Sequence, residues 1–215
     1  MKIGVLGTGT LATALATAWS RAGHDLAVAG RSSAKATALA ESIGGRPVSA
    51  REAVTGRDAV LLAVAWDGVE EMLKNAGGEE GALQGAVLID PSNPVDHGVG
   101  VLNLPPGRSA AQRVAELAPG AHVVKAFHLF AADQWSAPDG SDVTVAICGD
   151  DPAALSTVST LVRDVRARPA VLGSLARARQ LEEVAGFVIT LAFAGVDPQS
   201  AIPAVPSGVA DRDEA

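Results

Sequence analysis

Lys2-Ile3-Gly4-Val5-Leu6-Gly7-Thr8-Gly9-Thr10-Leu11-Ala12 is the stretch that decides the fold. Residues 2–6 form a short, largely apolar run of strand length. Gly7 to Ala12 reads G-x-G-x-x-A, and a helical pattern follows over 11–22. A strand, a glycine turn and a helix in this order predict a dinucleotide-binding unit. Gly7 permits the tight turn, Gly9 lets backbone approach a pyrophosphate, and Ala12 allows close helix–strand contact. The helix start adds unpaired N–H groups and a positive dipole end. Gly7, Thr8, Gly9, Thr10 and Leu11 are therefore the first expected cofactor contacts.

Further along, the apolar run 25–29 ends in Gly30-Arg31-Ser32-Ser33. Roughly 20 residues past the glycines, NAD-selective enzymes place an acid for the ribose 2′-OH. Here that acid is absent and an arginine stands in its place. A carboxylate would repel a 2′-phosphate, whereas a guanidinium grips it with paired hydrogen bonds. Ser32 and Ser33 can donate to the same phosphate and also cap the helix that begins at Ala34. Lys35 lies one turn into that helix and faces back to the same spot. The expected cofactor is NADP(H), held by Gly30, Arg31, Ser32, Ser33 and Lys35.

Beyond this unit, apolar runs of strand length alternate with longer helical patterns. Strands are expected over 2–6, 25–29, 46–48, 59–64, 87–90, 122–127, 143–148 and 167–172. Helices are expected over 11–22, 34–43, 51–54, 68–74, 110–117, 152–165 and 174–194. Strands apolar on both faces and separated by helices predict a parallel sheet covered on both sides. The expected fold class is α/β: a Rossmann-type, doubly wound, mostly parallel sheet with helices on both faces and a short C-terminal helical extension. Residues 1–172 would form the dinucleotide-binding domain. Residues 173–215 would form a C-terminal helix and tail, with the tail from 196 wrapping over the domain or fraying.

Composition narrows the function classes. The chain has 215 residues, 48% hydrophobic and 19% charged, as a folded α/β core requires. Its net charge of −7, without a cluster of basic residues, argues against a nucleic-acid partner. Cys148 is the single cysteine, so no internal disulfide can form and no cysteine-based metal site is expected. It reads as core packing on a strand. There is no tyrosine, which excludes a Tyr–Lys proton relay. The chain starts directly on its first strand and has no apolar stretch of spanning length. A cytoplasmic location without membrane contact is therefore expected.

Four later segments are candidates for the site. Ala63-Val64-Ala65 follows the fourth strand, and its backbone should pass the cofactor riboses; Trp66 then either lines the pocket or covers core. The Pro91-to-Pro106 connection leaves the fifth strand, and strand-end loops often carry ligand contacts. Asn93 there holds the nicotinamide end or is simply a turn former. Lys125-Ala126-Phe127-His128-Leu129-Phe130 ends a strand in a histidine among apolar residues. His128 could polarise an acceptor's carbonyl or be a satisfied structural residue, and Lys125 could form a salt bridge.

The chain resembles the NADPH-dependent coenzyme F420 reductase family, in the wider 6-phosphogluconate-dehydrogenase-like Rossmann group. The resemblance runs from residue 1 to about 194. It rests on Gly7 to Ala12, on Gly30-Arg31 with Lys35, on Val124 to His128, and on Gly173-Ser174-Leu175-Ala176-Arg177-Ala178-Arg179-Gln180-Leu181-Glu182. The resemblance implies direct hydride transfer between NADP(H) and a deazaflavin (coenzyme F420) or flavin. Such transfer needs ring stacking and spacing with little acid–base work. It also implies an acceptor site formed by His128 and the Ser174–Leu175 region, to which Trp66 and Phe130 are added by their positions in the chain. A related module occurs in membrane metalloreductases that use FAD. The sequence departs from the family at Leu129-Phe130-Ala131-Ala132, which is bulkier than the Asn-Val-Pro-Ala type, so Phe130 would reshape the acceptor pocket. Two alternatives stand beside the leading one. One is an NADPH-dependent reductase of a small organic substrate such as an imine or enone. The other is a non-catalytic NADP-sensing protein. A homodimer through the apolar last helix fits all three.

Overall fold

In the computed structural model, which describes residues 1–96, 99–136 and 143–204, the apolar runs become strands of one sheet. The order along the chain is β1 (Lys2–Leu6), α1 (Thr10–Arg21), β2 (Asp25–Ala29), α2 (Ser33–Ser42), β3 (Arg46–Pro47), α3 (Ala50–Val54), β4 (Ala59–Leu62) and α4 (Val69–Asn75). It continues as β5 (Val87–Asp90), α5 (Ala110–Leu117), β6 (His122–Lys125), β7 (Thr144–Gly149), α6 (Pro152–Asp164), β8 (Arg168–Gly173) and α7 (Ala178–Phe193). The eight strands lie side by side as β3-β2-β1-β4-β5-β6-β7-β8. Neighbours from β3 to β6 are parallel; β7 meets β6 antiparallel, and β8 runs parallel to β7. This is the doubly wound α/β arrangement that the sequence predicts, with α7 as its C-terminal helical extension.

Strand alternation sorts the core onto two faces. Ile3, Val5, Leu61, Ile89 and Val124 pack with α1, α2 and α6 on one face. Leu62, Leu88 and Val123 pack with α4, α5 and Leu181 of α7 on the other. Cys148 is fully buried in this second layer, as a strand residue in core packing. Side chains start the helices where the sequence offers them. Ser49 and Ser109 form capping boxes with Glu52 and Gln112, and Asp151 caps α6 ahead of Pro152.

Several boundaries differ from expectation. β4 stops at Leu62, although Ala63 N–H still donates to Leu6 O (2.8 Å). β6 stops at Lys125, because Phe127 takes a left-handed conformation (φ 60°) that no strand continues. The expected helix from 174 starts as a 3₁₀ turn (Leu175–Arg177) before α7 proper. The expectation for residues 205–215 of the tail lies outside the described residues. Among the described residues, no helix is long and apolar enough to cross a membrane.

Candidate functional site

The carboxyl ends of β1, β2, β4 and β5 open onto a continuous cleft. At one end, Gly7, Thr8, Gly9, Gly30, Arg31, Ser32, Lys35 and residues 63–65 line a cavity of about 400 Å³. Every basic residue in that lining comes from the Gly30–Lys35 segment. Ser32 caps α2 by accepting from Lys35 N–H (3.3 Å), which fixes the turn that carries Arg31. Ser33 faces an adjoining cavity of about 590 Å³ with Thr37, Val48 and Glu52. Ser49 N–H and Oγ–H donate to the Glu52 carboxylate, which holds it below the usual carboxylate range.

The two glycines of the turn differ in what surrounds them. Gly7 has φ 132°, and a Cβ there would collide with the Ala63 carbonyl. Gly7 N–H donates to Ala29 O (2.8 Å), so the turn is bonded to β2. A Cβ on Gly9 would meet nothing within 4 Å, because that position faces the open cleft. Gly9 is also the N-cap of α1 and supplies no side-chain cap, and the first helical turn carries no acid. The first N–H groups of α1 thus face the cleft beside the one glycine whose missing Cβ leaves room. This cradle suits a pyrophosphate, and the cations at Arg31 and Lys35 suit a 2′-phosphate. The residues present fit NADP(H).

The cleft continues past Gly9 and residues 63–65 into a cavity of about 750 Å³. Thr10, Leu11, Trp66, Asp67, residues 91–96, Asn103 and Ala132 line the rest of it. Trp66 and Asn93 are both on its wall, beside the cofactor turn. Asp67 and Asp96 are its charged residues, and none of the described lining residues is basic.

His128 and Phe130 sit behind this wall. The His128 ring is buried, and neither ring nitrogen has a hydrogen-bond partner. Burial first, and the Lys125 charge second, push its pKa down from 6.5 to about 3. The ring is neutral at physiological pH. Its backbone carbonyl accepts from the Asn93 side-chain amide. Phe130 packs edge-on against Trp135 (5.8 Å), which in turn meets Phe127 edge-on (5.4 Å). Phe130 therefore belongs to an aromatic cluster, and Ala132, two residues on, is the one that reaches the cavity. Asn93 Oδ1 and Ser92 Oγ are also buried without partners, just behind the cavity surface.

Ser174 and Leu175 do not join this group. β7 and β8 run against β6, and β8 turns out at Gly173 toward the amino end of β6. Leu175 accordingly borders His122, Val123, Asp150 and Asp151, and its N–H donates to Asp150 Oδ1 (2.8 Å). The expected acceptor site thus loses these two residues to the opposite end of the sheet.

Sequence reading also missed a buried ionic cluster. Lys125 Nζ lies 3.0 Å from Asp90 and 2.9 Å from Glu182, with all three side chains fully buried. Lys125 forms the salt bridge that its place in the sequence allows, but its partners are 35 and 57 positions away and carry no spacing signal. Among the described residues, no group of three or more His, Cys, Asp and Glu could hold a metal ion.

Comparison with known proteins bears on the fold and the cofactor class. Residues 2–94 match the family model described as NADP oxidoreductase coenzyme F420-dependent. Metalloreductase STEAP3 of Rattus norvegicus is 32% identical over 184 residues, covering 85% of this chain and 36% of that protein. The chain thus spans about a third of the length of that curated relative. A candidate F420-dependent NADP reductase of an Arthrobacter species superposes with TM-score 0.78 at 26% identity, over 91% of this chain and 96% of that one. An imine reductase of Streptomyces aurantiacus shares the fold, with TM-score 0.69 at 21% identity over 91% of this chain and 64% of that one. The chain is a member of the Rossmann-fold, NADP(H)-binding oxidoreductase superfamily. Within it, residues 2–94 are similar to F420-dependent NADP oxidoreductases, and the likeness to imine reductases is one of fold.

Proposed function

We propose that the protein is an NADPH-dependent reductase that passes hydride to a small organic acceptor seated between Trp66 and residues 91–96. The observation that carries this reading is the single cleft that joins the Arg31–Lys35 cations to an open cavity past Gly9. NADPH supplies the hydride; the chain's own residues anchor the cofactor and shape the acceptor space. Gly9 and the start of α1 hold the pyrophosphate, Arg31 and Lys35 hold the 2′-phosphate, and Ser92 and Asn93 meet the nicotinamide amide. Asp67 and Asp96, without a described base beside them, favour a neutral or cationic acceptor such as an imine over an anionic one.

A second reading is hydride exchange with coenzyme F420 or a flavin. Its support is the family match over residues 2–94 and the breadth of the cavity. Under either reading the assembled unit is a homodimer through α7, located in the cytoplasm. A non-catalytic NADP sensor is the remaining alternative.

Purified protein mixed with NADPH and, separately, a cyclic imine, an enone, F420, FMN and FAD decides among these. Loss of the reduced-nicotinamide absorbance with the imine or enone supports the first reading; loss with F420 or a flavin alone supports the second. Tight NADPH binding with no turnover on any of them would leave the sensor. Arg31→Asp should weaken NADPH about 100-fold while changing NADH little, since it removes a charge-assisted pair and adds a repelling carboxylate. Equal losses for both cofactors would refute the 2′-phosphate assignment.

A further inference from the structure

Lys125 is the only cation in a fully buried network that ends on the cleft wall. Its ammonium has three N–H groups and meets three acceptors: Asp90 Oδ2 (3.0 Å), Glu182 Oε1 (2.9 Å) and the Ser92 carbonyl. No N–H is left to give to a substrate. Asp90 uses its other oxygen to accept from Ser92 N–H (2.9 Å). Both peptide groups of Ser92 are therefore held by the network.

Glu182 ties the same network to the helices. Its carboxylate accepts from Ala110 N–H (2.9 Å) and Ala111 N–H (3.2 Å), at the start of α5. Two carboxylates against one ammonium leave a formal excess of one negative charge. The positive end of the α5 dipole offsets it at Glu182. The downstream side of the same loop is fastened separately, by the Asn93 amide on the His128 carbonyl. The His128 carbonyl is aimed by the left-handed turn at Phe127, whose ring is wedged edge-on between Trp19 (5.8 Å) and Trp135 (5.4 Å). Pro91 and Pro94 stiffen what lies between.

We infer that Lys125, through Asp90 and Glu182, is a positioning residue that fixes the Ser92–Asn93 wall against the nicotinamide end of the cofactor. This rests on the NADP(H) assignment above, and not on the identity of the acceptor. The physical ground is the cost of misplacement. A displacement of about 1 Å in a reacting group can lower a rate by about 100-fold. The wall that sets this distance is a strand-end loop, and its Ser92 peptide groups are fastened to buried charge.

The test reads the two ends of the cofactor separately in Lys125→Met. Bound 2′,5′-ADP, which lacks nicotinamide, should keep its affinity within about twofold, since its contacts lie at Arg31 and Lys35. NADPH should still bind, but its nicotinamide fluorescence should fall back toward that of the free cofactor. With an accepted hydride acceptor, kcat should drop by about 100-fold, with KM for NADPH changed by no more than about threefold. Unchanged fluorescence would overturn the inference. So would a parallel loss of 2′,5′-ADP binding, which marks a general collapse of the fold. Removing a buried ammonium strands two carboxylates, so Lys125→Met can fail to fold. Glu182→Gln is the second variant; it keeps Lys125 and one acceptor oxygen in place of the two that now meet Ala110 N–H and Ala111 N–H. It should show the same pattern at smaller amplitude, and wild-type fluorescence in folded Glu182→Gln would equally overturn the inference. Absence of turnover in the wild type with fluorescence still responsive to Lys125 would fault the reductase reading alone.

Discussion

At His128, burial and a neighbouring ammonium act in the same direction. Both disfavour the imidazolium, and the pKa falls from 6.5 to about 3. In the unfolded chain the same ring regains an ordinary pKa and binds a proton below about pH 6.5. Between that pH and about 3, the unfolded state holds more protons than the native one. Stability therefore rises with pH across this window and is lost as pH falls through it, by at most about 1.4 kcal/mol per unit from this residue. Urea denaturation of wild type and His128→Gln at pH 7 and pH 4.5 isolates the contribution. The wild type should lose more stability on acidification than the variant does. Equal losses would mean that His128 is solvated and titrates normally. The same neutrality has a functional side. His128 cannot act as a charged proton donor at neutral pH, so no limb of the pH–rate profile between 5 and 8 should disappear with it. Its residue type and position marked it out in the sequence. Its burial behind Asn93 did not show there, because that depends on the left-handed turn at Phe127.

At the scale of elements, the β1–α1 turn separates folding from binding within three residues. Gly7 is needed by the fold: its φ is 132°, and a Cβ would strike the Ala63 backbone. Gly9 is not needed by the fold in that way, since a Cβ there would meet no atom within 4 Å; under the proposed cofactor assignment it serves the ligand. Gly7→Ala should lower the thermal midpoint and cost on the order of 2–4 kcal/mol, from a strained φ together with a backbone collision. Gly9→Val should keep close to the wild-type midpoint and lose NADPH binding by at least about 100-fold, because it fills the pyrophosphate cradle. Thermal melts with and without NADPH read both effects; loss of stability in Gly9→Val would show that the turn itself needs glycine there. This turn was legible because its requirements are local. So were the strands, whose alternation and length are set by their own residues. What was not legible is direction. Alternation along 143–148 is the same whichever way the strand runs, so nothing in it announces that β7 enters antiparallel to β6. That reversal carries Ser174 and Leu175 to the far end of the sheet, away from Trp66 and Asn93. The Lys125 cluster was hidden for a related reason: Asp90, Lys125 and Glu182 meet only once β5, β6 and α7 are packed.

For the molecule as a whole, α7 is the element that faces two ways. One side, with Ala178, Leu181, Glu182, Ala185 and Gly186, is buried in the body. Glu182 reaches the cleft network, and Gly186 lies so close to Gly100 that a Cβ would meet the Gly100 carbonyl. The other side carries Val184 and Phe187, 38% and 47% exposed, with half-buried Val188 and Leu191 continuing the row. Positions 184, 187, 188 and 191 follow the i, i+3, i+4, i+7 spacing of a helix seam that packs on another helix. A second copy of α7 is the partner that this spacing suits, since a two-fold contact sets like against like. Wild-type protein should sediment as a dimer, and Phe187→Glu should shift it to monomer by placing a carboxylate in the centre of the seam. Its NADPH affinity should stay within about twofold, because exposed Phe187 lines neither cavity of the cleft and distant sites combine additively. A wild-type monomer at high protein concentration would exclude the seam as a dimer contact. A Phe187→Glu dimer with unchanged mass would move the contact elsewhere on the surface.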